Sequence, residues 1–261
     1  MNKFVRVLMY GLIMALSATG VASAKDEALE KAFAGLDQAL IPALFVTSAA
    51  DQRLSEASLT LLNNKWAAFR QSYDSYRPDY ANWGSYIDGI ATDLIEANSI
   101  VFSGAAPLVD AHESLEGIRV ILVDFRGKNG FPKFSTDKQT LYHEPMEAIA
   151  LTVKGKTPLT LTDAAVAFVA ATLPATQKAW HKVEKCPVDP EIWGFTPTQM
   201  VTLYNYIAAE SQALDNLQIA LDSGNKQAII AAGMGIKQGF VPVYTFFGDF
   251  KSVNLLAAQN P

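Results

Sequence analysis

The stretch 108-LVDAHESLEGIRVILVDF-125 places its apolar residues at helical spacing. Leu108, Ala111, Leu115, Ile118, Leu122 and Phe125 recur every three or four residues and form one seam, while Val109, His112, Glu116, Val120 and Val123 follow a second stripe. A helix that is apolar on more than one face packs between neighbours. Elsewhere Ala is abundant, β-branched alternation is rare and the same three-to-four spacing returns, so the chain reads as all-α.

Working outward, about eight helical segments are expected. They cover 26–47, with Pro42 kinking it or ending its regular part, 51–76, 84–102, 105–127, 136–153, 163–185, 197–222 and 225–247. Arg77-Pro78 stops the second, Ser103-Gly104 ends the third, Thr162-Asp163 caps the sixth and 186-CPVDPEIWGFTP-197 is a loop. The halves echo each other. Lys65-Trp66-Ala67 answers Ala179-Trp180-His181, Asn82-Trp83-Gly84 answers Ile192-Trp193-Gly194, and Gly117-Ile118-Arg119 answers Gly235-Ile236-Lys237. These echoes predict two tandem four-helix-bundle repeats packed together, 25–132 and 133–261.

Residues 1–24 read as a secretory signal peptide. Lys3 and Arg6 precede an apolar run from Val7 to Leu16, and Ala22-Ser23-Ala24 supplies a small-residue cleavage site. The expected location is periplasmic or secreted, with no membrane span after cleavage. Of 21 Lys and Arg and 26 Asp and Glu, only Lys3 and Arg6 lie in the leader, so the remainder carries a formal charge near −7. With no basic cluster to meet a phosphate backbone, nucleic acid is not an expected partner. Cys186 is the one cysteine, expected as a small, partly buried loop residue without an internal disulfide.

The three histidines carry the candidate chemistry. His112, Glu113 and Glu116 form one HExxE, and His143, Glu144 and Glu147 form another 31 residues later. Residues four apart share a helix face, so His112 with Glu116 and His143 with Glu147 offer two imidazoles and two carboxylates from two helices. Such a set suits a transition metal ion, iron, zinc or copper, with Glu113 and Glu144 as further ligands or as groups that orient them. Pro145 either kinks the second motif or starts a new helix after it. The alternative is structural: Glu116 pairs with Arg119, Glu113 is solvated and His112 donates to a backbone carbonyl. Asp93, Glu96, Glu210 and Asp215 are weaker acidic candidates. Tyr204, Tyr206, Met146, Met200 and Met234 are expected in the core.

His181 and Glu184 lie in 179-AWHKVE-184. This stretch and the duplicated plan resemble the imelysin-like family, in which a GxHxxE motif is associated with iron handling; Ala179 stands where that motif has glycine. The bundle plan also resembles cytochrome c′ and b562-type bundles, which implies non-covalent haem as a second cofactor, since the chain has no CxxCH for covalent attachment. Three functional classes follow. The first is a periplasmic metal-binding protein for storage, delivery or sensing, with the metal ion and a periplasmic redox or transport protein as partners. The second is a helical-bundle protein binding a partner or hydrophobic ligand without metal. The third is a metal-dependent hydrolase or oxidase, in a chain that has HExxE and not the HExxH of metalloproteases.

Overall fold

The computed structural model describes residues 27–76, 82–104, 106–131 and 134–259; the leader and Arg77-Pro78 lie outside them. Among the described residues there are ten helices and no strand. They are α1 (27–48), α2 (Gln52–Tyr73), α3 (Trp83–Ser103), α4 (Leu108–Lys128), α5 (Ser135–Val153), α6 (Asp163–Glu184), α7 (Pro190–Trp193), α8 (Pro197–Ser223), α9 (Lys226–Thr245) and α10 (Phe250–Gln259). The two beyond the expected eight are short. Asp189 caps the four-residue α7 inside the supposed loop, and α10 follows the point where the sequence pattern was expected to end.

Local chemistry sets the ends. Asp51 accepts from Leu54 N at 3.0 Å at the start of α2, and Thr162 accepts from Ala165 N at 3.1 Å at the start of α6. Thr196 and Gln199 form a reciprocal capping box on α8. Gly104, at φ 66°, closes α3 in the left-handed region where a Cβ is strained.

The seam of α4 is buried as its spacing demands: Ala111, Leu115, Ile118, Leu122 and Phe125 are each 2% exposed or less. α4 packs extensively on α3, and α9 on α8, while α5 lies against α6 and α9. One continuous apolar core runs through these layers. In one cluster Phe125 meets Phe33 and Trp83 edge to face, with Phe69 tilted against Phe33; in another Tyr142 meets Phe240 edge to face and Trp180 at a tilt. Met146 is fully buried, with Met200 and Met234 half-buried against the core. Tyr204 and Tyr206 depart from expectation and are exposed, because they flank on either side the face of α8 that buries Leu203 and Ile207.

Neither Pro42 nor Pro145 ends its helix, and no new helix starts at Pro145. α1 runs through Pro42 and α5 through Pro145. Pro42 has no N–H for the carbonyl of Gln38, and that carbonyl instead accepts from Asp249 N at 2.8 Å. The proline therefore creates the acceptor that docks the Gly248-Asp249 turn onto α1.

A buried ion cluster ties three helices together. Arg126 on α4 is 2% exposed and donates to Asp37 on α1 at 3.1 Å and, through Nε, to Asp137 on α5 at 3.0 Å. Thr136 Oγ1 also donates to Asp37 at 2.6 Å, and the guanidinium lies 4.6 Å from the Phe134 ring centroid. α1, α4 and α5 are three walls of the cleft described next.

Candidate functional site

A cleft of about 530 Å³ opens between α1, α4, α5 and α9. Leu44, Phe45 and Ser48 come from α1; His112, Glu113, Glu116 and Arg119 from α4; His143, Met146, Glu147 and Leu151 from α5; Lys237, Phe240, Val241, Tyr244 and Thr245 from α9. Five of the six expected ligands thus line one space. Glu144 is exposed and does not, because α5 continues through Pro145 and keeps it about 100° round the helix from His143.

On α4, His112 Nδ1 donates to Leu44 O at 3.0 Å, and its Nε2 lies 3.7 Å from Glu116 Oε1. Glu116 forms an ion pair with Arg119 one turn on, and Glu113 is exposed at the rim. Every bond of the structural alternative for this motif is therefore made. Burial raises the Glu116 carboxyl above its ordinary range, while Arg119 and His112 pull it down.

Arg119 joins the two motifs. It is 9% exposed, and its Nη2 donates to His143 Nδ1 at 3.2 Å, so the His143 proton sits on Nε2. Burial first, then the charges of Arg119 and Lys237 and the nearby His112, lower the His143 pKa to about 3. The ring is neutral at neutral pH. Across the cleft Lys237 Nζ donates to Glu147 Oε1 at 2.9 Å. Two buried polar atoms on these residues have no hydrogen-bond partner: Arg119 Nε, a donor, and Glu147 Oε2, an acceptor.

The donor set answers a metal only in part. Among the described residues no three His, Cys, Asp or Glu side chains group as ligands. Arg119 holds Glu116 and the His143 Nδ1 lone pair, and Lys237 holds Glu147. A dication among them must compete with two fixed cations for the same oxygens and nitrogen.

The remaining candidates lie elsewhere. His181 is exposed and bonds Glu184 at 3.1 Å, while Glu184 also accepts from Ser211 at 2.5 Å. Asp93 sits against Gly117 on the α3 side of α4, with its carboxyl raised by burial and by Glu96. Glu210 is fully buried on α8, accepts from Tyr142, and is pushed up to about 8 by burial. Cys186 is buried, and its Sγ donates to Pro187 O at 3.8 Å. The site residues that sequence reasoning missed are Lys237, Phe240 and Tyr244. Lys237 had a signal, as the echo of Arg119, but it was read as evidence of duplication alone. No helix among the described residues is long and apolar enough to cross a membrane. Comparison with family models, curated proteins and solved structures finds no match to the chain.

Proposed function

We propose that the protein is a ligand-binding protein, periplasmic or secreted, whose small organic ligand occupies the α1–α4–α5–α9 cleft. One observation carries this reading: a cleft within the usual size range of small-molecule sites is walled by apolar side chains and by the nearly buried Arg119 beside a neutral imidazole. The tandem-repeat plan agrees with it, because Arg119 and Lys237 are the paired echoes and both reach the cleft.

The test is native mass spectrometry of the protein purified from the cells that make it, beside a Val241→Trp variant that fills the cleft. Wild type is expected to carry a small-molecule adduct and the variant to lack it. An adduct undiminished in Val241→Trp, or none in wild type after incubation with cell extract, overturns the reading.

A metal-binding function is the second reading, and the orientation of His112 favours it. A backbone carbonyl accepts from Nδ1–H and turns Nε2 toward Glu116, the orientation in which many imidazoles hold a metal. His112, Glu116, His143 and Glu147 would hold iron, zinc or copper once Glu116 left Arg119 and Glu147 left Lys237. Elemental analysis decides it. Wild type should exceed the double variant His112→Ala and His143→Ala in bound metal, and equal content in the two sinks the idea.

A further inference from the structure

We infer that the cleft takes an uncharged, mainly hydrocarbon molecule whose carbonyl oxygen accepts from His143 Nε2; this rests on the cleft being a ligand site. The charges of the cleft are the first ground, because they are already matched within the protein. Arg119 pairs with Glu116, Lys237 pairs with Glu147 at 2.9 Å, and Glu113 stands exposed at the rim. His112 is held by Leu44 O on one ring nitrogen and lies 3.7 Å from Glu116 on the other. An anion drawing Lys237 away would strand Glu147, whose second oxygen is buried without a partner, and a cation drawing Glu116 away would strand the nearly buried Arg119. Taking one member out of a partly buried pair is costly, so an uncharged ligand is the one that leaves both pairs whole.

Hydrocarbon in the wall is the second ground. Leu44, Phe45, Met146, Leu151, Phe240 and Val241 line the cleft from three helices. Phe45 is 44% exposed and Leu151 55%, so a hydrocarbon in the cleft covers apolar surface that the fold itself leaves in water. The third ground is His143. A guanidinium can only donate, so the Nδ1 that Arg119 meets is an acceptor and the ring proton sits on Nε2. Among the described residues that N–H has no hydrogen-bond partner, and unlike Arg119 Nε and Glu147 Oε2 it is not sealed in the wall of its half-buried ring. The ring lies 6.0 Å from that of Phe240, so an oxygen that meets Nε2 sits next to apolar wall. A neutral donor in such a place calls for an acceptor and for no charge.

Fluorescence titration of the wild-type chain with prodan, an uncharged naphthyl ketone whose emission moves to the blue in apolar surroundings, tests this. Prodan should bind with blue-shifted emission, and Val241→Trp, which fills the cleft, should bind it at least about tenfold more weakly. Methyl hexyl ketone should displace prodan; methyl butyl ketone, shorter by two methylenes, should do so about tenfold less well, and octanoate and octylammonium less well than the longer ketone. In His143→Phe the affinity for methyl hexyl ketone should fall about fivefold further than that for the alkene with a methylene in place of the oxygen, the loss expected of one hydrogen bond. That ratio does not depend on the variant's absolute stability. Octanoate or octylammonium displacing prodan as well as the ketone does, or ketone and alkene falling alike in His143→Phe, overturns the inference. If Val241→Trp removes the native adduct but prodan does not bind wild type, the uncharged ligand fails and the cleft reading stands. If prodan binds Val241→Trp as well as wild type, the inference fails and the native adduct alone decides the cleft reading.

Discussion

Glu210 sets a carboxyl where ionisation is costly. It is fully buried, Tyr142 donates to one oxygen, the other has no partner, and Gly239 leaves just the room it occupies. Burial raises its pKa from 4.5 to about 8, against the opposing hydrogen bond from Tyr142. A group raised on folding holds more protons in the folded state between those two values. Its stabilising contribution is complete below pH 4.5 and is lost as pH rises through about 8. Glu210→Gln keeps an oxygen for Tyr142 and removes the proton. Relative to wild type, the variant should therefore gain stability with rising pH at up to about 1.4 kcal/mol per unit across that window, read from urea midpoints between pH 4 and 9. Parallel curves for the two proteins would show that Glu210 ionises as readily folded as unfolded.

At the scale of elements, the sequence carried most of the helical layout and little of what happens at the helix boundaries. Thr162 and the 197–223 helix stand within a residue of expectation because capping chemistry and apolar period are local signals. α7 and α10 were missed because a four-residue turn has no period to read, and α10 follows a turn held by Asp249 N on the carbonyl of Gln38, 211 positions earlier in the chain. Pro42 and Pro145 were read by their local cost alone. For Pro42 that cost is offset by a tertiary contact, since the carbonyl it leaves free is the one Asp249 uses. The site divides the same way. The i,i+4 rule placed His112 and Glu116 on one face, and residues of both motifs line the cleft. That Arg119 would bridge the motifs, and that Lys237 would occupy Glu147, depends on how α4, α5 and α9 meet, which no local pattern encodes.

At the scale of the whole molecule, a polar cluster joins three walls of the cleft two turns along α4 from Arg119. Arg126 follows Arg119 by seven residues on α4, so the two lie on nearly one face, and Arg126 reaches α1 through Asp37 and α5 through Asp137. The cluster has one cation for two carboxylates, and burial raises Asp137 even though Arg126 draws it down. Such a group need not be more stable than an apolar replacement, but it is intolerant of losing one member. Arg126→Met should cost about 3–5 kcal/mol in chemical denaturation, because Asp37 and Asp137 would remain buried without a cation. Adding Asp37→Leu and Asp137→Leu to Arg126→Met should restore most of that stability. If the cluster also sets the spacing of α1, α4 and α5, the triple variant should regain its denaturation midpoint without regaining the wild-type cleft adduct in native mass spectrometry. Recovery of both would make the cluster a stability element only, and a single variant as stable as wild type would remove it from the account of the fold.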